Sequence, residues 1–355
     1  MPFTQHLIKP VAFFAAENRS FTMNATEPAT LKTLAGELGL NVSTVSRIIN
    51  AEPGTDSKWA SPETIRRVHE LASARGYTRN PHAASLRTSR SDLIGVIVPR
   101  LQDYVLATIY EGIDAAAETR GRMTVVANSL DDPTRQRSRT ESLLARRVDG
   151  LIFGDAHIDS PFLDQLAARG VPLTLVSRRK AGHVSVTCDD VTGGRLAASH
   201  FLSTGRRRFA VIAGARYAST TVDRVAGFLD VLEEHGIGGS DVDVYYTGFD
   251  APAGQRAVAE LMAAPVRPEA VFAVNDFAAI GAIGALQKLG VVVPEDIAVV
   301  GYNDTPIAEA VSLTTVRSPM VEMGRLGFDK LLLLLDKEVV ESERLPPELI
   351  VRSTA

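Results

Sequence analysis

From residue 93 onward the chain repeats one theme: a short, continuously apolar run, a stretch with helical periodicity, then another apolar run. The runs fall at 93–98, 123–127, 150–153, 173–176, 209–213, 242–246, 270–274 and 297–300, and a strand-like ELIVR lies near the end. A strand that is apolar on every residue has no solvated face. Such strands separated by helices therefore predict parallel sheets covered by helices on both sides, an α/β architecture. With 355 residues the chain has room for this core and for a small additional domain.

That additional domain is legible between residues 30 and 76. Leu31, Leu34, Ala35 and Leu38 recur at i, i+3, i+4 and i+7, one apolar stripe of a helix that Thr30 can cap and Gly39 can stop. Asn41 is a good N-cap for a second helix whose apolar side is Val45, Ile48 and Ile49 and whose outward side carries Ser43, Ser46, Arg47 and Asn50. Ser61 and Pro62 open a third helix with Ile65, Val68, Leu71 and Ala72 on one side and Gly76 at its end. Two such helices joined by a tight turn form either a helix-turn-helix, whose second helix enters the DNA major groove, or an ordinary packed helical pair. Residues 80–91 follow as a linker that can become helical, with Leu86 as an exposed apolar side chain among small and polar neighbours.

Charge favours the first reading. Residues 30–90 hold nine Lys and Arg against five Asp and Glu, although the whole chain has a net charge of −4. A basic headpiece on an acidic body confines attraction for nucleic acid to one end. One cysteine, Cys188, excludes a disulfide within the chain and leaves no Cys-based metal site, so no metal and no cofactor are expected. Residues 1–29 fit no module; they read as disordered, or as preceding a true start near Met23. Their apolar run at 11–16 is too short for a signal segment, and no stretch reaches membrane-spanning length, which predicts a cytoplasmic protein with no membrane association.

In open α/β sheets ligands gather at the carboxyl ends of strands. That rule selects Asp103, Asp155, Ser177, Arg178, Asn275, Asp276, Asn303 and Asp304, each just after an apolar run. Polar groups at several strand ends can converge on one polar small molecule; equally, Asp276 and Asp304 can be helix caps or turn residues. Enzyme signatures are absent: there is no Gly-x-Ser-x-Gly, no Gly-Lys-Ser/Thr phosphate loop and no His-Glu-x-x-His, and the seven histidines are scattered. Gly281 and Gly284 lie inside an apolar helix, where close packing accounts for them better than nucleotide binding.

The runs TLKTLAGELGLNVSTVSRIIN at 30–50, SPETIRRVHELASARGYTRNPHAASL at 61–86, LIGVIVP at 93–99, NDFAAIGA at 275–282, PEDIAVVGYND at 294–304 and LTTVRSP at 313–319 together resemble the lactose-repressor and purine-repressor family of bacterial transcriptional regulators. The resemblance covers the chain from about residue 30 to its end. It implies a helix-turn-helix headpiece over 30–79, a hinge over 80–91, and a two-lobed core of periplasmic-binding-protein type over 92–355, with the chain crossing between lobes near 190, 317 and 340. It implies a homodimer on palindromic operator DNA, acting as a repressor under a small polar effector such as a sugar. The DNA-facing set is then Thr30, Asn41, Val42, Ser43, Thr44, Ser46, Arg47, Asn50 and Tyr77, with Asn80, Ala83, Leu86 and Arg87 in the hinge.

Effector contacts implied by the resemblance are Arg224 of the RVAGF run, Asn275 of the NDFAA run and Asn303 after Gly-Tyr, with Ser177 and Arg178 nearby. Asp103 and Tyr104 stand where relatives commonly carry Asn-Pro and would shape one wall. Arg224 has an alternative role as partner of Asp223 or another acid. The segment between Asn50 and Ser61 is about five residues longer than usual and holds the single tryptophan, Trp59, beside Lys58. A sugar-binding transport receptor shares such a core, but it would carry a signal peptide and would lack the basic headpiece.

Overall fold

The computed structural model describes residues 29–51, 60–77 and 90–355. Most of the N-terminal segment, the loop with Lys58 and Trp59, and the hinge residues Asn80, Ala83, Leu86 and Arg87 lie outside the described residues. What is described falls into two compact units, one on each side of residue 84.

The first unit is three helices, α1 (Leu31–Leu38), α2 (Val42–Asn50) and α3 (Pro62–Ala74). Thr30 and Thr33 form a reciprocal capping box, and Gly39 closes α1 with φ near 66°. Ser61 accepts the Thr64 amide ahead of Pro62. Asn41 sits at the N-cap of α2 with extended backbone, yet its side chain makes no capping hydrogen bond, contrary to the expected role. Leu34, Val45, Ile48 and Val68 are at most 1% exposed and form the centre of the unit; Ile49, expected to be buried with them, is only partly covered. Each fully buried aliphatic side chain contributes about 1.5–3 kcal/mol.

The second unit contains two six-stranded sheets. In the first lobe the order is β11 (Glu343–Leu345), β5 (Ser185–Cys188), β4 (Leu173–Val176), β3 (Gly150–Phe153), β1 (Leu93–Val98), β2 (Met123–Asn128). In the second it is β12 (Glu348–Ile350), β10 (Thr314–Arg317), β9 (Ala298–Asn303), β8 (Ala270–Ala273), β6 (Phe209–Ala213), β7 (Asp243–Tyr246). All pairings are parallel except β10 with β12. The first lobe carries α4 (Tyr104–Thr119), α5 (Pro133–Ala145), α6 (Pro161–Ala168) and α12 (Met320–Leu335). The second carries α7 (Asp190–Ser203), α8 (Ser219–Glu234), α9 (Ala251–Ala263), α10 (Asp276–Lys288) and α11 (Pro306–Ala310). The chain changes lobe between β5 and α7, between β10 and α12, and between β11 and β12; the last crossing lies at 346–347, a few residues beyond the expected 340.

Strands β5, β10 and β11 escaped the apolar-run criterion because they are short and carry polar side chains. Their buried hydroxyls are satisfied internally: Ser185 Oγ lies 3.4 Å from Ser342 Oγ, and Thr314 Oγ1 accepts the Arg352 amide at 2.9 Å. β9 runs three residues past the expected 300, which carries Tyr302 and Asn303 into the sheet.

Helix pairs interlock through glycines. A Cβ on Gly194 of α7 would overlap the carbonyl oxygen of Arg224 in α8, and one on Gly227 of α8 would overlap that of Val191 in α7. Gly254 and Gly281 do the same for α9 and α10, so the close packing expected of Gly281 is present, whereas Gly284 faces open space. Gly227→Ala should therefore lower core stability in chemical denaturation by about 1–3 kcal/mol, the cost of overpacking against backbone. Gly284→Ala should raise it by up to about 1 kcal/mol, because helix propensity then acts without a clash.

Candidate functional site

In each lobe one strand is flanked on both sides by strands whose connections leave in opposite directions: β1 between β2 and β3, and β6 between β7 and β8. Ligands in such sheets bind at the carboxyl ends of these strands, where the diverging loops leave a crevice. The structure places a cavity of about 540 Å³ there, between the lobes. Residues after β1 (Pro99, Arg100, Asp103), β2 (Leu130, Asp131) and β4 (Arg178) face residues after β6 (Ala215, Tyr217), β7 (Gly248, Phe249, Asp250) and β8 (Phe277).

Asp131 is the polar centre of this cavity. It accepts Arg178 Nη1 and Nη2 at 2.7 and 2.9 Å and the Tyr217 hydroxyl at 3.0 Å, and His157 Nε2 lies 3.3 Å away. Against the upward push of burial, the hydrogen bonds from His157, Arg178 and Tyr217 hold the Asp131 carboxyl well below the usual carboxylate range. Tyr217 stacks on His157 at 3.9 Å between ring centres, and burial together with the Asp131 charge pushes its hydroxyl up to about 12. Since Tyr217 belongs to the second lobe and Asp131 to the first, this bond joins the lobes. Two further contacts do the same: Arg179 pairs with Asp223 at 2.5 Å while its amide reaches Ser219 Oγ, and the Ile158 amide donates to the Tyr217 carbonyl at 3.0 Å.

Of the seven residues expected to contact effector, the structure brings Asp103 and Arg178 to the cavity wall. Asp103 caps α4 by accepting the Val105 amide, and burial raises its carboxyl. Tyr104 is 38% exposed and lies outside the lining; Ser177 is buried with φ near 64°, its amide on the Met323 sulfur. Arg224, Asn275 and Asn303, expected around the ligand space, are buried and do not belong to the cavity lining. Arg224 donates to Asp190 at 2.7 Å and to the Val274 carbonyl at 2.6 Å, and its guanidinium lies 3.6 Å over the Tyr302 ring. Its acidic partner is thus Asp190, because Asp223 is taken by Arg179. Asn275 caps α10 through the Ala278 amide and donates to the Phe249 carbonyl. Asn303, with φ near 108°, keeps a buried side-chain oxygen with no hydrogen-bond partner.

Two strand-end acids are taken up by partners distant in sequence rather than by the helix-cap or turn roles weighed for them, and Asn275, not Asp276, caps α10. Asp276 accepts the Thr305 amide and the hydroxyls of Thr305 and Thr315, and Asp304 pairs with Arg317 and Arg352. Sequence reasoning missed Asp131, His157, Tyr217, Phe249 and Phe277; applying the strand-end rule to β2, β6 and β7 as well would have found Asp131, Tyr217 and Phe249. Among the described residues no three His, Cys, Asp or Glu side chains converge to hold a metal, and no helix is long and apolar enough to cross a membrane.

On the headpiece, Asn41, Val42, Ser43 and Arg47 are exposed along α2, and Thr44 and Ser46 are partly so. Asn50 folds back to donate to the Ser46 carbonyl at 2.6 Å and to Ser46 Oγ. Thr30 is engaged in its capping box, and Tyr77 packs against the headpiece core.

Asp155, after β3, is 1% exposed with neither carboxylate oxygen hydrogen-bonded, and burial pushes it up to about 6 from an ordinary 3.8. A carboxyl raised in the folded state contributes stability that is present below about 3.8 and lost as pH climbs through about 6. Asp155→Asn should accordingly melt higher than the parent at pH 8, and the gap should close as the pH falls towards 4; equal melting at both pH values would contradict this account.

A model of the periplasmic binding protein-like domain matches residues 198–355. The transcriptional regulator GalS of Salmonella typhimurium is 30% identical over 308 residues, 84% of this chain and 88% of its own. The structure of the lac repressor dimer bound to operator and the anti-inducer ONPF is 26% identical, covering 92% of this chain and 99% of its own, with a TM-score of 0.82. A LacI family transcriptional regulator from Mycobacterium smegmatis is 32% identical over 74% of this chain and 98% of its own, with a TM-score of 0.66.

Proposed function

This chain belongs to the LacI family of transcriptional regulators, and from that membership we propose that it binds a palindromic operator as a cytoplasmic homodimer and is controlled by a small polar effector, a sugar or sugar derivative, held in the cavity between the lobes. It is a DNA-binding regulator and not an enzyme. The observation that carries the proposal is the union, in one chain, of a helix-turn-helix with an exposed polar recognition face and a two-lobed core whose cavity sits at both switch points. Two headpieces reading two half-sites gain specificity that one lacks, which is why a dimer and a palindrome go together.

Effector binding in that cavity alters how the lobes are held, because the Asp131–Tyr217 bond bridges them within its wall and Arg179–Asp223 is a second bridge. By linkage, an effector that changes operator affinity must have its own affinity changed by operator to the same degree. Arg224 is buried in the second lobe and paired with Asp190. Removing it strands the Asp190 carboxylate in the interior, so Arg224→Ala should cost about 3–5 kcal/mol of core stability in addition to any effect on effector.

Gel-shift titration against DNA upstream of the chain's own operon, at fixed salt, tests the reading; a transport receptor would leave that DNA unshifted. Arg47→Ala should cost about 1–3 kcal/mol of operator affinity and relax base preference at one position in each half-site. Unchanged affinity and selectivity would remove Arg47 from the reading set.

A further inference from the structure

Resting on the reading of the chain as an operator-binding regulator, we propose that Asp149 is a positioning residue for DNA binding, fastening the linker to the first lobe where it enters the core. The cavity occupies the carboxyl ends of the strands, whereas the linker arrives at the amino end of β1. The six residues of β1 separate the two, about 20 Å of strand. A ligand at one end influences DNA at the other only if movement of the lobe reaches the linker without slack. At the entry point stands a cluster of hydrogen bonds. Asp149, just ahead of β3, accepts the Ser91 amide at 2.7 Å and the Ser91 hydroxyl at 2.9 Å through Oδ1. Through Oδ2 it accepts the Asp92 amide and Arg122 Nη1, each at 3.0 Å. A carboxylate offers about four lone-pair sites, so Asp149 is saturated. Its side chain is 6% exposed and that of Arg122 11%, which shields these bonds from water.

The backbone is held at the same place. The Asp149 amide donates to the Leu93 carbonyl at 2.8 Å and the Met123 amide to the Asp92 carbonyl at 2.9 Å, so residues 92–93 are bracketed by the starts of both neighbouring strands. Asp92 has φ near 56°, which turns the chain immediately before β1 and sets the direction from which the linker arrives. Arg90 reaches Asp336, the C-cap of α12, at 2.8 Å, but both side chains are half-exposed and such pairs contribute little. Asp149 therefore carries the anchorage. An asparagine in its place keeps one acceptor oxygen and turns an NH2 group towards donors, so the Asp92 amide and Arg122 lose their partner. Residues 91 and 92 then gain freedom. Specific binding, which needs each headpiece aimed at its half-site, has to order them again. Non-specific binding rests on phosphate charge and needs no fixed aim.

The test uses the full-length protein and a pair of DNA fragments of equal length at one salt concentration: the operator fragment from upstream of the chain's own operon, and an unrelated sequence. Affinities are read on folded protein, below its melting onset, where a mere loss of core stability changes neither. Asp149→Asn should weaken operator binding at least about tenfold, the cost of ordering linker backbone again, and leave binding to the unrelated fragment within about twofold of the parent. In hydrogen exchange the Ser91 and Asp92 amides should be protected in the parent and exchange rapidly in the variant. If Asp149→Asn does not fold, Ser91→Ala removes a single donor and should lower operator affinity by about threefold to tenfold, again sparing the unrelated fragment. A folded Asp149→Asn protein that keeps the parent's ratio of operator to unrelated binding overturns the proposal. So does one that loses affinity for both fragments alike, or one whose Ser91 and Asp92 amides stay protected. A parent that itself shows no preference for the operator fragment sinks the regulator reading and the proposal with it, so the parent's own titration separates the two failures.

Discussion

The buried ion pair between Arg224 and Asp190 is the interaction on which the second lobe is assembled. Asp190 opens α7 directly after the chain enters this lobe from β5, and Arg224 lies on the neighbouring α8. The same guanidinium caps the end of β8 through the Val274 carbonyl and lies over Tyr302 of β9. Four elements are therefore registered by one side chain. Burying both charges is expensive and their mutual attraction roughly offsets that cost, so the pair contributes geometry more than net stability. Close approach of α7 and α8 at Gly194 and Gly227 makes the short bond possible, since any side chain there would hold the helices apart.

Around the cavity the backbone is held in conformations that non-glycine residues seldom adopt. Leu130 and Asp131 in its lining have positive φ, as do Ser177, Asn303 and Asp304 at the ends of β4 and β9. Asparagine and aspartate tolerate this region because their short side chains bond locally; leucine and serine do so less readily. Such strain persists only where surrounding packing over-determines it, and it concentrates where side chains must be aimed. At Asp131 the consequence is visible: the turn presents its carboxylate to Arg178, His157 and Tyr217 at once.

Contacts between the lobes give this arrangement its mechanical sense. The Tyr217 bond lies in the cavity wall and the Arg179 pair follows directly on Arg178, while the three chain crossings lie where β5, β10 and β11 end. A ligand that competes for Tyr217 or Asp131, or bridges them, acts on groups that already span the two lobes. That is the physical requirement for a bound molecule to shift a conformational balance: it must interact differently with the two arrangements.

The order of strands, the helical headpiece and the charge asymmetry were determined by the sequence alone, because each rests on periodicity or composition, which are local. Apolar runs located eight strands, and capping residues such as Thr30, Ser61 and Gly39 marked helix ends to within a residue. The short strands β5, β10 and β11 were invisible to that logic, since Ser185 and Thr314 are buried only because partners distant in sequence satisfy their hydroxyls. Which strand-end residues face the cavity was likewise decided by the tertiary structure. Arg224, Asn275 and Asn303 have the right chemistry and the right positions along the chain, yet packing turns the first two to internal partners and buries the third, while Asp131 and Tyr217 meet across 86 positions of sequence. Periodicity carries no information on a pairing of that range; only the juxtaposition of two folded lobes creates it.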